Sequence, residues 1–431
     1  MAEATLDVAI AGAGPAGISC AVALIRRDPS LKGRISVFDR ARFPRSKPCG
    51  GGLTGRADQA MRALGLELTV PSMACDRGLI RFADLDRSVS LGRPVRIVRR
   101  EEFDASLVAQ ARDLGVVVQE ETPLEDFSVD ADGVSFSAGG ARRRAKILVG
   151  ADGVSSRVRK RILDRAGTPD GRPIRLFRSE LSVSRAVWQR YADTMVYDFS
   201  LFPNGMRGYF WIFPVPGDRL NVGVMHDPST PLSGGDLERL LQRQLQKYGL
   251  PMAEAVRGWP AWGYDSSRAV SSQRLLLVGD AAGIDALTGE GIAVGMEEGP
   301  LAADQILVAL RSGEFGFGGY REALRHATVG RELALDRQLA RLLYHQERWK
   351  KLLPLILFDQ RMVEMYAARV SGSLILTDQK PALLAALIRH ALHYRSRKVA
   401  FGRALAVRSP LYQLRNGVPI RVGPQVGSDH E

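Results

Sequence analysis

The stretch LDVAIAGAGPAG (residues 6–17) decides how the chain begins to fold. Its apolar half ends in glycines, which is typical of a central parallel strand that leads into a helix. Gly12 permits a tight turn, Gly14 lets a pyrophosphate approach the backbone, and Gly17 allows close contact between helix and strand. The helix N-terminus attracts phosphate. We therefore expect a dinucleotide-binding turn formed by Gly12, Gly14, Pro15, Ala16 and Gly17.

An acidic residue follows at the spacing that such a turn requires. Asp39 comes 22 residues after Gly17, at the end of a second apolar strand, RISVFDR. An acid in this position binds ribose hydroxyls. We assign Asp39 and its neighbour Arg40 to the same cofactor site.

Strands and helices alternate through the first part of the chain. RREEFDASLVAQARDLG (residues 99–115) has helical spacing and ends on Gly115, whereas VVVQEE and KILVGADG indicate strands. This alternation predicts a parallel sheet flanked by helices. Between residues 195 and 225, aromatic and β-branched runs are separated by PNGMRG and PVPGD, which predicts antiparallel strands in a second layer.

The segment RLLLVGDAAG (residues 274–283) again has the apolar pattern of a buried parallel strand. The first fold is therefore interrupted and then resumed. We predict an α/β protein, α+β overall, in which a Rossmann-like dinucleotide-binding domain is interleaved with an antiparallel-sheet substrate domain. The dinucleotide-binding domain comprises residues 1–75, 99–175 and 265–330. The substrate domain comprises residues 76–98 and 176–264, and residues 331–431 form a helical, basic C-terminal region.

Composition limits the class of protein. Cys20, Cys49 and Cys75 are too few and too scattered for a disulfide framework or a zinc cluster, so we expect a reducing compartment and no metal. We read neither a signal peptide nor an apolar run that reaches the roughly 18 residues needed to span a bilayer. The net charge of +13 favours anionic partners, but no nucleic-acid-binding motif accompanies it. A solvated basic face explains the same charge.

Two further motifs place polar groups at strand ends. VGADGVSSRVRK supplies Asp152, and LLLVGDAAGIDALTGEGIAVGMEEG supplies Asp280 together with a turn at Gly289 and Gly291 that enters a helix at Ile292. An aspartate at a strand end can accept hydrogen bonds from the ribityl hydroxyls of a flavin. Backbone N–H groups at a helix start can stabilise negative charge on a reduced flavin ring.

Together, GAGPAG, GADGVSSRVR and GDAAGIDALTGEGI resemble the FAD-binding framework of the single-domain flavoprotein monooxygenase superfamily, over roughly residues 5–310. Within that framework, FPRSKPCGGGLTGRA and GYFWIFP resemble the geranylgeranyl reductase family, whose members saturate isoprenoid double bonds of lipids, chlorophyll precursors or quinone tails. The chain departs from the family pattern at Ala286 and Val215, where proline and lysine are common.

The resemblance implies roles for individual residues. It places Tyr209, Trp211 and Phe213, which precede Pro214, along the substrate cavity, although alternating aromatic residues also suit an ordinary core. It places Cys49 beside the isoalloxazine ring. It also implies cofactor contacts at Pro48, Gly51, Arg100 and Leu124, the last through a backbone contact to adenine.

The segment KPCGGGLTG (residues 47–55), which we call the Cys49 loop, combines one thiol with three consecutive glycines. Glycines let a backbone lie close against a planar ring. Reduction of a C=C bond needs a hydride and a proton, so we hypothesise that Cys49 delivers the proton or shapes that face of the ring. A small buried apolar residue is the alternative reading of Cys49.

The sequence therefore predicts an FAD-dependent reductase of isoprenoid C=C bonds; the alternative is a flavin-dependent monooxygenase or halogenase. A non-catalytic flavin or lipid carrier is a third class, and the turn at Gly289 and Gly291 argues against it because it serves the reactive ring. The sequence contains one dinucleotide fingerprint, so NAD(P)H would have no Rossmann domain of its own. The expected external electron donor is NAD(P)H that binds transiently or a ferredoxin-like protein.

Two apolar segments flanked by basic residues, KKLLPLILF and PALLAALIRHALHYRSRK, lie near the C-terminus. These segments are expected either to form the rest of a substrate tunnel or to bind an anionic membrane surface. Packing between helices explains the same pattern nearly as well. We expect a cytoplasmic protein, with the inner face of the cell membrane as a peripheral site and a prenyl lipid as its partner.

Overall fold

The structure, a computed structural model, describes residues 5–83, 85–167, 171–345, 347–393, 399, 412–415 and 418–421. The described strands are β1 Leu6–Ala11, β2 Ile35–Phe38, β3 Gly52–Leu53, β4 Ser72–Phe82, β5 Leu85–Val98, β6 Val117–Gln119, β7 Leu124–Val129, β8 Val134–Ala138, β9 Ala141–Gly150, β10 Ile174–Ser182, β11 Thr194–Asp198, β12 Gly208–Val215, β13 Arg219–His226, β14 Arg257–Ala261, β15 Ser271–Ser272, β16 Leu275–Leu277, β17 Tyr412–Arg415 and β18 Val418–Arg421. The described helices are α1 Pro15–Arg27, α2 Gly55–Ala63, α3 Arg100–Asp113, α4 Arg157–Ala166, α5 Arg185–Gln189, α6 Gly234–Lys247, α7 Ile292–Ser312, α8 Tyr320–His326, α9 Thr328–Tyr344, α10 Trp349–Phe358, α11 Gln360–Val370 and α12 Lys380–Leu392.

The first sheet has the order β15-β16-β9-β1-β2-β6, and β8 joins it beside β9 with β7 as its outer neighbour. β1 runs parallel to β2 and β9, with Val8 opposite both Ile35 and Ile147. Helices cover this sheet, which explains why β1 and β2 are apolar nearly throughout. α7 crosses α1 closely, because a Cβ atom at Gly299 would lie 2.6 Å from the backbone nitrogen of Cys20.

The second sheet has the order β14-β10-β13-β12-β11-β4-β5-β3. Its described pairs are antiparallel except for β11 and β4, which run parallel. On β12, Phe210 and Ile212 pack into the core that α6 covers. The alternate residues Tyr209, Trp211 and Phe213, which we call the aromatic wall, face the opposite side. The predicted antiparallel second layer is therefore confirmed.

The helices after residue 327 form a layer over the aromatic wall's side of the second sheet. The hydrophobic core that contains the aromatic wall also contains Tyr344, Trp349, Leu353 and Leu357 from these helices. The chain near the C-terminus also contains the antiparallel pair β17 and β18. Within the described part of the chain, none of the helices combines the length and apolar character needed to cross a bilayer. The predicted fold class is confirmed, and the predicted domain boundaries stay a prediction.

Candidate active site

A cavity of about 850 Å³ lies where the carboxyl ends of β1, β2 and β9 face the aromatic wall. Its lining contains nearly every residue predicted for the site: Gly12, Gly14, Pro15, Ala16, Asp39, Arg40, Pro48, Cys49, Gly51, Arg100, Leu124, Asp152, Tyr209, Trp211, Phe213, Asp280, Gly289, Gly291 and Ile292. Gly17 lies behind the lining, where a Cβ atom would stand 2.0 Å from the carbonyl oxygen of Gly12. The structure thus brings together residues from widely separated segments, while their individual roles stay predictions.

The turn between β1 and α1 depends on glycine for two different reasons. Gly12 has a φ of +105°, and a Cβ atom there would lie 2.2 Å from the carbonyl oxygen of Ala151. Gly14 has an ordinary φ of −73°, and a Cβ atom would meet only the Arg45 guanidinium, at 3.5 Å. Gly12 is therefore required by the fold, whereas Gly14 leaves open space at a helix N-terminus where a phosphate can bind.

Asp39 holds the turn in place. One carboxylate oxygen accepts the backbone N–H of Ala13 at 2.8 Å, and the other accepts that of Ala41 at 2.9 Å. The guanidinium of Arg45 lies 4.0 Å from Asp39 and 3.3 Å from Asp104. Arg45 was not predicted as a site residue, and nothing in its sequence context marks it, because its partners follow β2 and lie in α3.

Arg100 opens α3 and is buried against Asp104, with two N–H···O contacts of 2.8 Å each. Burial alone would lower the pKa of Arg100, but the Asp104 carboxylate raises it above its ordinary value. Arg100 therefore keeps a fixed positive charge at the cavity wall, oriented by Asp104.

The two strand-end aspartates differ in their environment. Burial raises the pKa of Asp152, and one of its oxygens is buried without a hydrogen-bond partner. For Asp280, burial alone would raise the pKa, but Lys47, Arg100 and Arg45 hold it below its ordinary value. Lys47 contacts Asp280 at 3.2 Å. Lys47 belongs to the Cys49 loop but was not predicted as a site residue, because its partner lies 233 residues away.

Tertiary contacts fix the Cys49 loop from both sides. The Cys49 carbonyl oxygen accepts hydrogen bonds from the Asn221 amide at 2.8 Å and from Arg178 at 3.2 Å. A Cβ atom at Gly51 would lie 2.2 Å from the carbonyl oxygen of Val98, and one at Gly50 would lie 3.1 Å from the ring of Phe213. The glycines therefore let the loop pass between β5 and the aromatic wall.

The aromatic wall is buried, and its polar atoms are paired. The Trp211 indole N–H donates to the Asn221 side-chain oxygen at 3.0 Å, so Asn221 bridges the wall to the Cys49 loop. The Tyr209 hydroxyl donates to the backbone carbonyl of Thr288. The ring of Tyr197 on β11 lies edge-on to Tyr209 and Phe213, with centroid distances of 5.3 and 5.4 Å.

The turn before α7 also borders the cavity. Gly289 has a φ of +77°, and Gly291 caps α7, which begins at Ile292. Between them, Glu290 accepts a hydrogen bond from the Thr54 hydroxyl at 2.5 Å. This hydrogen bond joins the start of α7 to the Cys49 loop. The backbone N–H groups at the start of α7 can stabilise an anionic ligand in the cavity.

These residues fit an FAD cofactor. The open space at Gly14 suits a pyrophosphate, and the unpartnered oxygen of Asp152 suits a hydroxyl donor. The cavity passes from this polar end to the aromatic wall, as a dinucleotide with a planar ring requires. Among the described residues, no group of His, Cys, Asp or Glu is arranged to hold a metal ion.

The family described as FAD binding domain matches residues 5–314. The chain belongs to this family. It is 31% identical to the menaquinone reductase of Mycobacterium tuberculosis over 333 residues, which cover 69% of this chain and 76% of that protein. It is 27% identical to digeranylgeranylglycerophospholipid reductase 2 of Methanopyrus kandleri over 319 residues, again 69% of this chain and 76% of the relative.

Solved structures share the fold. A geranylgeranyl bacteriochlorophyll reductase-like protein from Thermoplasma acidophilum matches 93% of this chain and 99% of its own, with a TM-score of 0.65 and 18% identity. The flavin-dependent halogenase CmlS matches 88% of this chain and 68% of its own, with a TM-score of 0.58 and 20% identity. The prediction of an FAD-dependent oxidoreductase that resembles the geranylgeranyl reductases is confirmed.

Proposed function

We propose that this protein is an FAD-dependent reductase that saturates C=C bonds of a prenyl lipid. The observation that carries the proposal is the contact between the Cys49 loop and the aromatic wall, where a Cβ atom at Gly50 would lie 3.1 Å from the ring of Phe213. An apolar surface is thereby placed against the segment predicted to face the flavin. The names of two relatives, reductases of menaquinone and of a digeranylgeranyl lipid, support the same substrate class.

Saturation of a C=C bond adds a hydride to one carbon and a proton to the other. Bound, reduced FAD would supply the hydride. The aromatic wall would hold the apolar chain and exclude water, since each buried methylene contributes about 0.8 kcal/mol. Arg100 and the start of α7 would stabilise the anionic cofactor.

Cys49 is the candidate proton donor. Its sulfur accepts the Gly51 N–H at 3.4 Å, which leaves the S–H group available as a donor. In a Cys49→Ala variant, we expect unchanged FAD content and a loss of turnover of about 100-fold or more if the thiol delivers the proton. Unchanged turnover would leave Cys49 with the other proposed role, shaping the flavin face.

The decisive experiment uses the reconstituted protein under argon, with FAD reduced by dithionite and with menaquinone or geranylgeranyl diphosphate as substrate. A gain of two mass units per double bond in the prenyl tail, located by fragmentation in the mass spectrometer, supports a reductase, because dithionite alone adds the same mass to the quinone ring. The fold shared with a halogenase keeps a monooxygenase or halogenase as the second candidate. A product formed only when oxygen is admitted would select that candidate, because flavin oxygenation requires oxygen and alkene reduction does not.

We further propose that NAD(P)H or a ferredoxin-like protein reduces the flavin, because the sequence contains one dinucleotide fingerprint, which the cofactor itself would occupy. Stopped-flow bleaching of the flavin absorbance by NADPH, by NADH and by reduced ferredoxin separates these donors.

We also propose that the inner membrane surface is a partner. Along α12, Leu384, Leu387, Ile388 and Leu392 form one exposed stripe, in which Leu392 is 77% exposed. Residues 379–428 contain nine Lys or Arg and no acid, which complements anionic lipid.

Co-sedimentation with phosphatidylglycerol vesicles, and weaker sedimentation with phosphatidylcholine vesicles, would support this surface. The double variant Ile388→Asp and Leu392→Asp should reduce binding. Val308→Asp, at an exposed apolar position on α7, is the matched control. Equal sedimentation of all three proteins would contradict the proposal.

A further inference from the structure

Helix α11 contributes to the cavity, although its sequence pattern predicts no role in the site. Tyr366, Arg369 and Val370 all line the cavity. Their spacing of three and four residues puts them on one face of the helix. The C-terminal layer therefore completes the site instead of only covering it.

The position of α11 is fixed by close contacts. A Cβ atom at Gly55 would lie 1.9 Å from the carbonyl oxygen of Ser371, and the Gln59 side chain donates to the carbonyl of Gly372 at 2.8 Å. Arg369 contacts the buried carboxylate of Glu332 at 2.7 Å. Tyr366 is thus presented from a rigid support, as positioning of a ligand requires.

The hydroxyl group of Tyr366 is buried and has no hydrogen-bond partner. The polar atoms of Tyr209 and Trp211, which line the same cavity, are paired within the protein. Burial raises the pKa of Tyr366 well above its ordinary value, so the group stays a donor at neutral pH. A buried donor without a partner is unfavourable unless a ligand satisfies it.

We propose that Tyr366 donates a hydrogen bond to an oxygen atom of the bound prenyl lipid and so selects lipids whose apolar chain carries an oxygen-bearing head. The inference rests on the proposed function and deepens it, since it assigns a specificity-determining contact to the same cavity. The oxygen could belong to a quinone ring or to a diphosphate, and the two sources are separated by the choice of ligand.

The test measures the dissociation constants of three ligands for the FAD-loaded, oxidised protein: a short-tailed menaquinone, geranylgeranyl diphosphate, and squalene, a prenyl hydrocarbon without oxygen. Tyr366→Phe should weaken binding of at least one oxygen-bearing ligand roughly 2- to 12-fold, the range expected for one hydrogen bond. Binding of squalene should not change. The ligand that loses affinity identifies the head group.

Tyr344→Phe is the matched control, because the Tyr344 hydroxyl already donates to the carbonyl of Leu287 at 2.6 Å. That variant should lower the melting temperature without changing ligand preference, whereas Tyr366→Phe should leave the melting temperature of the ligand-free protein unchanged or raised. Equal weakening of all three ligands, or none, overturns the inference, and so does loss of FAD from Tyr366→Phe. If the wild type binds none of the ligands, the proposed function itself fails and the inference with it.

Discussion

The two ends of the cavity are built from different kinds of contact. At the dinucleotide end, backbone meets backbone: Gly12 touches Ala151, and Gly17 touches Gly12. At the aromatic end, side chains from separate segments meet, as when Asn221 links Trp211 to Cys49. At Gly12 and Gly17 the first end has no room for an added atom, whereas the second end can exchange side chains of similar volume. We therefore expect the first end to set cofactor binding and the second to set the choice of substrate.

The largest effect should come from Gly12→Ala. The added Cβ atom would lie 2.2 Å from the Ala151 carbonyl in a backbone with φ of +105°, so we expect a loss of about 3–5 kcal/mol in the free energy of unfolding and no retained FAD. Thermal unfolding and flavin absorbance measure both.

Gly14→Ala is the control, because its Cβ atom would have ordinary space. It should leave the stability of the FAD-free protein within about 0.5 kcal/mol and reduce FAD affinity alone. Equal destabilisation by the two variants would contradict the distinction between the glycines.

Arg369→Met tests the support of the aromatic end. Arg369 is buried between Glu332, at 2.7 Å, and Asp336, and its removal leaves the acids without their cation. We expect a loss of about 3–5 kcal/mol in the free energy of unfolding. FAD should remain bound under native conditions, because the ion pairs of Arg369 are with Glu332 and Asp336 and not with residues of the dinucleotide turn.

Arg325→Met removes an exposed ion pair with Glu322 and should cost no more than about 1 kcal/mol. If both arginine variants change stability equally, the buried cluster does not hold α11. Denaturant unfolding followed by tryptophan fluorescence makes the comparison.

Asn221→Ala should break the bridge between the aromatic wall and the Cys49 loop. The variant leaves the Trp211 N–H without its partner and removes one donor to the Cys49 carbonyl, so we expect a loss of about 1–3 kcal/mol. Because the Cys49 loop borders the predicted flavin position, the flavin absorbance bands should shift as well. A loss of stability with an unchanged flavin spectrum would show that the Cys49 loop does not lie against the flavin ring.

The smallest effect concerns pH. Burial lowers the pKa of His226 at the end of β13, where its ring accepts the Arg207 backbone N–H at 3.1 Å. Below an unfolded-state pKa of about 6.5, the unfolded chain binds the proton more readily than the folded protein, so stability falls as pH falls. His226→Asn should flatten the dependence of unfolding free energy on pH between about 7 and 5. An unchanged slope would assign the dependence to other groups.

The sequence allowed most of the cofactor end to be predicted, because a strand, a glycine turn and a helix form a local unit with known spacing. Two of the missed residues act through a partner that is remote along the chain. Lys47 meets Asp280 from 233 residues away, and Asn221 meets Cys49 from 172 residues away. A single sequence carries no signal for such pairs. Tyr366 was missed since helical spacing alone cannot show whether a face meets a cavity or a core.

The sequence by itself determined the FAD-binding framework and the alternation that puts Tyr209, Trp211 and Phe213 on one face of β12, because both follow from backbone conformation and residue spacing. Only the tertiary structure decided what that face meets. Strand periodicity assigns side chains to two faces of a strand but does not show which segments pack against each face. The cavity exists because the Cys49 loop and α11 are brought against the face that carries the aromatic wall. Burial and unpaired polar groups such as the Tyr366 hydroxyl are properties of the packed chain, so they appear only when the layers are assembled.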